Sequence, residues 1–398
     1  MNREEEKLLA MLDYALHQKG QVEYEETIDW TAVFTEARNH VVTALVTKAL
    51  PAALPQEQQK PWRSAVFAQI ASYTRYVYWQ DRLCGLFSAR KLPVAVLKGS
   101  AAAIYYPQPS LRAMGDIDII VAPQHFEAAR ELLLENGYTL TEQDDGRHIG
   151  LEKNGLKIEL HHRFSHREDD IEAYIRTGME DICSAAIDGH SFPMLPRLAN
   201  GIVLLEHMRS HLKTGVGLRQ LIDWMEFVER ELDDTCWRDE FSAVLKKEKM
   251  DTLAITATRA CQKYLGLRES LCWCRSADDE LCDTLMENLL GAGNFGRKRG
   301  IGRDFEKVSA SINRLGFFRY LQIAGEVNWK ALKKHPQLRP FAGVYQFFRY
   351  IQQGLTSNRG IQVLDDFRRG KQRADMLKRL NCTPERTDLP ERRKTHEM

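Results

Sequence analysis

The stretch from Val94 to Val121 constrains the fold of this chain most strongly. It reads VAVLKGSAAAIYYPQPSLRAMGDIDIIV. The β-branched runs VAV and IDIIV favour strands, and the alanine-rich segment between them favours a short helix. Strands and helices that alternate over so short a distance predict an α+β core, with a mixed sheet backed by helices.

The second strand carries two carboxylates, Asp116 and Asp118. Side chains alternate along a strand, so both project to one face while Ile117 and Ile119 face the core. Neighbouring carboxylates repel one another unless a cation lies between them, and Mg²⁺ prefers such oxygen ligands. The pair therefore predicts a metal site; the alternative is a solvated strand end.

The first strand ends at Gly99-Ser100 and passes directly into the predicted helix. The first backbone N–H groups of a helix have no partner within it, so they are available to a phosphate. Glycine lets the backbone approach a ligand closely. We predict phosphate binding here, with an ordinary turn as the alternative.

Taken together, these motifs resemble the nucleotidyltransferase superfamily typified by DNA polymerase β. More narrowly, Lys98-Gly99, Tyr106-Pro107, Arg112 and the Asp-x-Asp resemble, in that order, a bacterial family labelled uncharacterised nucleotidyltransferase. The resemblance implies a polymerase β-like core. It also implies Mg²⁺ or Mn²⁺ as cofactor and ATP or another nucleoside triphosphate as substrate.

Such enzymes take a third carboxylate from a nearby strand, and Glu159 fits that place. The segment GLEKNGLKIELHHRF predicts a β-hairpin with Asn154-Gly155 at its turn. Glu159 and His161 share one face of its second strand. In the family an acidic residue, a leucine and a His-aromatic pair recur here, and His162 departs from the aromatic. The resemblance thus implies Asp116, Asp118 and Glu159 as catalytic metal ligands.

Further polar residues have less specific roles. We predict that Lys98 and Arg112 bind phosphate together with Gly99 and Ser100. The alternative for the two cations is a salt bridge. His161 either acts near the acceptor hydroxyl or supports a ligand. In the family-like string GVGLRQLIDW, Arg219 and Asp223 either pair with each other or line the cleft. His207 and His211 lie four apart on a predicted helix, and we interpret them as structural.

Four regions are predicted along the chain. They are an N-terminal helical subdomain (1–92), the nucleotidyltransferase core (93–195), a C-terminal helical domain (196–370) and a disordered tail (371–398). In the first, Asp29 caps a helix that carries Val33, Ala37, Val41 and Leu45 on one face. Residues 56–90 follow as one long helix whose aromatic side chains pack into the core.

The composition limits which partners and which cellular compartment we expect. Lys and Arg number 56 against 55 Asp and Glu, so the global charge does not favour nucleic acid as a partner. The scattered positions of the eight cysteines predict reduced thiols. No apolar run is long enough for a membrane span, and the acidic N-terminal segment does not resemble a signal peptide. We expect a cytoplasmic protein.

The predicted reaction is transfer of a nucleoside monophosphate, AMP from ATP, to an acceptor hydroxyl with release of pyrophosphate. The acceptor is a protein side chain, a small molecule or a sugar. The alternative is a catalytically silent nucleotide-binding sensor or scaffold. The loop Gly291–Arg303 combines glycines with cations, and either closes over substrate or is solvated. Base preference and oligomeric state are not encoded in any motif.

Overall fold

The computed structural model describes residues 1–18, 22–165, 171–212, 215–294, 297–298, 317–333, 335–356 and 371–382. The chain divides into two compact units, Met1–Lys298 and Arg299–Met398. All residues of the predicted site lie in the first unit.

A mixed sheet forms the centre of the first unit. Its seven strands are β1 (Ala95–Leu97), β2 (Ile117–Ile120), β3 (Thr139–Glu142), β4 (His148–Lys153), β5 (Leu156–His161), β6 (Cys183–Ile187) and β7 (His190–Met194). They lie in the order β3-β4-β5-β2-β1-β7-β6. β2 is parallel to β5 and antiparallel to β1, and β1 is parallel to β7. Helices precede and follow these strands in the chain, so the mixed sheet confirms the predicted α+β class.

Helices precede, interrupt and follow the sheet. In the first unit they are α1 (Arg3–His17), α2 (Trp30–His40), α3 (Thr43–Val46), α4 (Gln56–Ala89), α5 (Gly99–Ala103), α6 (Phe126–Glu135), α7 (Ile171–Glu180), α8 (Arg197–Leu212), α9 (Leu218–Glu231), α10 (Asp234–Cys236), α11 (Ser242–Lys247), α12 (Asp251–Leu265) and α13 (Asp279–Ala292). Along the described part of the chain, no helix combines the length and apolar character needed to cross a membrane.

The predicted start of α2 is confirmed, but its predicted length is wrong. The Asp29 side chain accepts hydrogen bonds from Thr31 and Ala32, as an N-cap does. The helix ends at His40 because Val41 adopts a left-handed conformation with φ of 60°. Leu45 therefore belongs to the separate helix α3 and does not continue the face of Val33.

The long helix α4 contributes to the core of the sheet. Its aromatic residues Tyr73, Tyr76 and Phe87 are buried in one cluster with strand residues such as Val96 and Ile119. This is the packing predicted for the aromatic stripe. The cluster crosses the boundary proposed at residue 92, so the helical lead-in and the sheet share a core. Phe67 and Tyr78, by contrast, are exposed.

The hairpin of β6 and β7 was not among the predicted strands. Its turn is Asp188-Gly189, where both residues have positive φ, 47° and 82°. This backbone suits the tight turn of a two-residue hairpin. β7 lies beside β1 and so extends the sheet on the side away from β5.

The second unit contains two described helices that pack on each other, α14 (Phe317–Asn328) and α15 (Ala342–Thr356). Residues 371–379 are also helical, which differs from the disorder predicted for the whole of 371–398. Met376, Leu380 and Cys382 are buried. Residues 383–398 lie outside the described part.

Candidate active site

The register of three strands brings the predicted carboxylates together. Asp118 on β2 lies opposite Leu97 of β1 and opposite Glu159 of β5. Residues opposite each other in a sheet project to the same face. The chain thus places Asp118 and Glu159 side by side, although they are far apart in sequence.

Asp118, Glu159 and His161 form a cluster suited to a metal ion. One ligand atom from each lies within 4.8 Å of the others. Atoms that share a cation at about 2.0–2.4 Å can lie no farther apart than this. The two carboxylates suit Mg²⁺, and the imidazole adds a donor that suits Mn²⁺ better. The donor set therefore fits the divalent ion that the sequence predicts.

Lys98 supplies a positive charge to this cluster. Its Nζ lies 2.6 Å from Asp118 Oδ1, and both side chains are largely buried. Burial opposes its charged form, but the charges of Asp118 and Glu159 outweigh burial and raise the pKa of Lys98. The backbone at Lys98 has φ of 50° and ψ of −119°, which a lysine rarely adopts. Such strain at a candidate site is typical of a functional residue.

His161 bridges the two carboxylates. Its Nε2 lies 3.1 Å from Asp118 Oδ1 and 3.3 Å from Glu159 Oε2. Burial lowers the pKa of His161, but the hydrogen bonds to the two carboxylates outweigh it and raise the pKa overall. Burial also disfavours ionised Glu159, yet the bond to His161 and the charge of Lys98 lower its pKa to about 2. The two carboxylates of the cluster thus face the Lys98 ammonium and the His161 imidazole.

Asp116 lies just before β2 and is half-buried. Within the described residues it does not belong to the cluster of three donors. Burial and the neighbouring charge of Asp118 raise its pKa, against the opposing charges of Lys98 and Arg219. Asp116 is therefore a neighbour of the cluster, and its predicted role as a metal ligand stays a prediction.

Gly99 and Ser100 begin helix α5, as the sequence predicts. A Cβ at Gly99 would lie 2.2 Å from the Tyr76 hydroxyl, so a larger residue would displace that tyrosine. The Ser100 side chain is fully buried, and its hydroxyl has no hydrogen-bond partner among the residues that the structure describes. Both residues lie next to Lys98, but nothing in their contacts tests phosphate binding.

Arg112 and Asp223 pair with each other in the interior. Arg112 donates from Nε and Nη2 to the two oxygens of Asp223, each at 2.7 Å. Tyr106 donates to the same carboxylate at 2.7 Å. Arg219 instead donates to the Ala113 carbonyl at 3.2 Å. Of the two alternatives for Arg219 and Asp223, mutual pairing does not describe Asp223, whose carboxylate binds Arg112.

His207 and His211 of α8 lie next to each other, and their interpretation as structural residues stays a prediction. The rings of His207 and His211 are 4.8 Å apart. Burial lowers the pKa of both, and the charge of Lys98 is the next contribution for each; for His211 the value falls to about 4. Their i, i+4 spacing was the only signal in the sequence, and it does not show which face of α8 turns towards the sheet.

His148 is a further residue that the sequence did not single out. It pairs with His161 across β4 and β5, and the two rings are 4.9 Å apart. Burial and the charge of His161 lower its pKa. A histidine at the start of a strand carries no distinctive motif.

The described part of the Gly291–Arg303 segment packs on neighbouring helices. Asn294 accepts a hydrogen bond from Gln220 at 2.7 Å. Lys298 forms ion pairs with Glu5 and Glu36 at 3.0 and 2.7 Å. Residues 295–296 and 299–303 lie outside the described residues, so closure of this loop over substrate is untested. All eight cysteines, which are described, are free thiols.

Comparison with known proteins identifies the family of this chain. Residues 26–266, more than half of the 398-residue chain, match the sequence profile of a family described as uncharacterised nucleotidyltransferase. A comparison with curated proteins finds no match. A similar solved structure is an antigenic nucleotidyltransferase-like protein from Paracoccidioides brasiliensis, with 12% identity and a TM-score of 0.31. That similarity covers 49% of this chain and 94% of the other. The family match includes Lys98, Asp118, Glu159 and Asp223.

Proposed function

The chain belongs to the uncharacterised nucleotidyltransferase family, and from this premise we propose that it transfers a nucleoside monophosphate from a nucleoside triphosphate to an acceptor hydroxyl. The proposed donor is ATP, and the group transferred is AMP. The acceptor oxygen forms a bond to the α-phosphorus, the bond between that phosphorus and the bridging oxygen breaks, and pyrophosphate leaves. The hydroxyl proton passes to a carboxylate or to water.

The cluster of Asp118, Glu159 and His161 is the observation that carries this proposal. Its ligand atoms lie within 4.8 Å of one another on one face of the sheet. Asp118 and Glu159 would hold a divalent ion, Mg²⁺ or Mn²⁺, with Asp116 as a further carboxylate. When bound, such an ion neutralises phosphate charge and lowers the pKa of the attacking hydroxyl.

Lys98 is the residue that we assign to the phosphates. Its ammonium binds Asp118 at 2.6 Å. A lysine acts as a mobile point charge on a flexible stem, so it can leave one anion for another. We propose that Lys98 turns to the β- and γ-phosphates, with Gly99 and Ser100 donating backbone N–H groups beside it. Positioning and charge neutralisation then supply most of the rate enhancement.

The predicted acceptor classes remain a protein side chain, a small molecule or a sugar. Nucleic acid is disfavoured by the balance of 56 basic against 55 acidic residues. A cytoplasmic location also stays a prediction.

One observation favours the silent sensor as a second candidate. Lys98 contacts Asp118, and His161 contacts both Asp118 and Glu159, so each carboxylate has a partner within the protein. A protein in which these contacts stayed in place would bind nucleotide without turnover. The two candidates differ in whether a phosphoryl bond is broken.

The test is incubation with Mg²⁺, host lysate and ATP labelled at the α-phosphate. The control is the Asp116→Asn/Asp118→Asn double variant, assayed at the same concentration. Label transferred covalently by the wild type alone supports nucleotidyl transfer. ATP binding that the double variant weakens, with no transfer in any lysate fraction, supports the sensor. No binding of any triphosphate contradicts both.

A further inference from the structure

Helix α9 contacts the segment that leads into the two aspartates. Arg219 and Asp223 lie four residues apart and therefore on one face of this helix. Asp223 binds the Arg112 guanidinium through both oxygens, and Arg219 donates to the Ala113 carbonyl at 3.2 Å. Ala113 is three residues before Asp116.

Helix α4 also binds this segment. Gln69 donates from Nε2 to the Arg112 carbonyl at 2.9 Å and lies 3.5 Å from the Ser110 carbonyl. Backbone and side chain of Arg112 are thus bound by two different helices. We call Arg112, Gln69, Arg219 and Asp223 together the clamp.

The Arg112–Asp223 pair has the geometry of a permanent contact. Arg112 is 4% exposed and Asp223 is 2% exposed. The two parallel bonds of a guanidinium to a carboxylate fix both distance and orientation. Tyr106 occupies Asp223 further with a third donor. Removing either charge would leave the other buried without its partner, which is strongly unfavourable.

We infer that the clamp positions Asp116 and Asp118 and that Arg112 does not bind phosphate itself. The inference rests on the proposed function, because it concerns how the proposed metal ligands are held. Residues 112–113 are tied to α4 and α9, and β2 begins only four residues later, at Ile117. The clamp thereby fixes where the strand that carries Asp118 starts. Its members are positioning residues.

Two isosteric or charge-conserving variants separate this role from phosphate binding. Arg112→Lys keeps the charge but loses the two parallel bonds, and Asp223→Asn keeps the shape but loses the charge. The measurements are Mn²⁺ affinity and, separately, ATP affinity without metal. Residues that support a ligand typically contribute about 10–100-fold to metal affinity. We expect both variants to weaken Mn²⁺ binding by about tenfold and to leave metal-free ATP binding unchanged.

A direct phosphate contact gives a different pattern. Arg112→Lys would then weaken metal-free ATP binding, whereas Asp223→Asn would strengthen it by releasing the guanidinium, and Mn²⁺ affinity would not change. That result overturns the inference. Folded variants with wild-type Mn²⁺ affinity overturn it as well.

Gln69→Ala keeps the inference testable if the buried variants do not fold. Gln69 is half-buried and donates hydrogen bonds to the segment through its side-chain amide. We expect a smaller loss of Mn²⁺ affinity, about threefold, since one backbone contact is removed while the ion pair stays. Gln58→Ala, exposed on the same helix, is the matched control and should show no loss. Equal Mn²⁺ affinity for the two glutamine variants contradicts the clamp.

The same experiment separates the clamp from the proposed function. A wild-type protein that binds neither Mn²⁺ nor ATP contradicts the proposed function, and the clamp with it. A wild type that binds both, with variants that bind equally well, contradicts the clamp alone.

Discussion

Two buried ion pairs flank the start of β2, and they differ in construction. Lys98 meets Asp118 through one contact of 2.6 Å, from a backbone with positive φ. Arg112 meets Asp223 through two contacts of 2.7 Å, and Tyr106 adds a third donor. The first pair belongs to a cluster with Glu159 and His161, and the second ties α9 to the loop before the strand.

This difference in construction determines which charges a ligand can replace. A lysine holds a carboxylate as a point charge, so a divalent ion can displace it at modest cost. A bidentate guanidinium is lost only by breaking two bonds and leaving two buried charges. We therefore expect the Lys98 pair to be exchangeable and the Arg112 pair to be permanent.

The largest expected effect is on turnover. Asp118→Asn removes a proposed metal ligand from the Lys98 pair, and we expect transfer activity to fall at least about 1,000-fold, or ~4 kcal/mol in the barrier. Folding should persist, because the amide has the same shape. Asp239→Asn, in an exposed pair with Arg238, is the control. An Asp118→Asn enzyme with most of its activity would remove the carboxylate from the mechanism.

Substitution in the Arg112–Asp223 pair should lower the stability of the folded protein. Asp223→Ala leaves the Arg112 guanidinium buried without its anion, and we expect the free energy of unfolding to fall by about 3 kcal/mol. Chemical denaturation measures this. The double variant Arg112→Met/Asp223→Ala removes both charges and should recover much of the loss. A single variant as stable as the wild type would show that the pair is not structural.

A second carboxyl on α9, that of Glu226, is buried without such a bidentate pair among the described residues. Glu226 is 2% exposed, and burial raises its pKa to about 8. The folded protein keeps the proton while the unfolded chain releases it near pH 4.5. Its contribution to stability is therefore complete below that pH and is lost as pH rises towards about 8.

Glu226→Gln tests this directly. Relative to the variant, the wild type should lose roughly 1.4 kcal/mol of stability per pH unit between about pH 5 and pH 8. Denaturation at several pH values gives the slope, with the exposed Glu131→Gln as control. A difference that does not change with pH would mean that Glu226 is ionised in the folded protein.

The smallest effect concerns the exchangeable cation. Lys98→Met removes the charge that competes with a metal for Asp118, so Mn²⁺ affinity in the absence of nucleotide should rise about tenfold, or ~1.4 kcal/mol. ATP affinity should fall, since the proposed phosphate contact is lost. Calorimetry measures both, with the exposed Lys48→Met as control. Weaker Mn²⁺ binding would mean that Lys98 supports the metal site and does not compete with it.

Features of the site that depend on one short segment could be predicted from the sequence. Alternation along LKIELHH put Glu159 and His161 on one face, and the structure confirms their position beside Asp118. The Asn154-Gly155 turn is also confirmed, with φ values of 53° and 70°. These features depend on periodicity and turn residues, which a single segment contains.

The remaining parts depend on contacts between distant segments. Arg112 and Asp223 are separated by 111 positions, and no pattern near either residue marks the pair. Asp188-Gly189 is a dipeptide typical of hairpin turns, but Pro193 and the small residues of β6 are unfavourable in strands, so the hairpin was not predicted. The end of α2 at His40 needed Val41 in a left-handed conformation, which β-branched residues disfavour. Tertiary packing decided each of these cases.

The most direct test of the central claim is a Mn²⁺ titration followed by electron paramagnetic resonance, in the presence of ATP. We expect the wild type to bind Mn²⁺ with ATP, Asp118→Asn to lose that binding, and Asp239→Asn to keep it. Wild-type binding that persists unchanged in Asp118→Asn would contradict the claim that Asp118 and Glu159 form the exchangeable cation site.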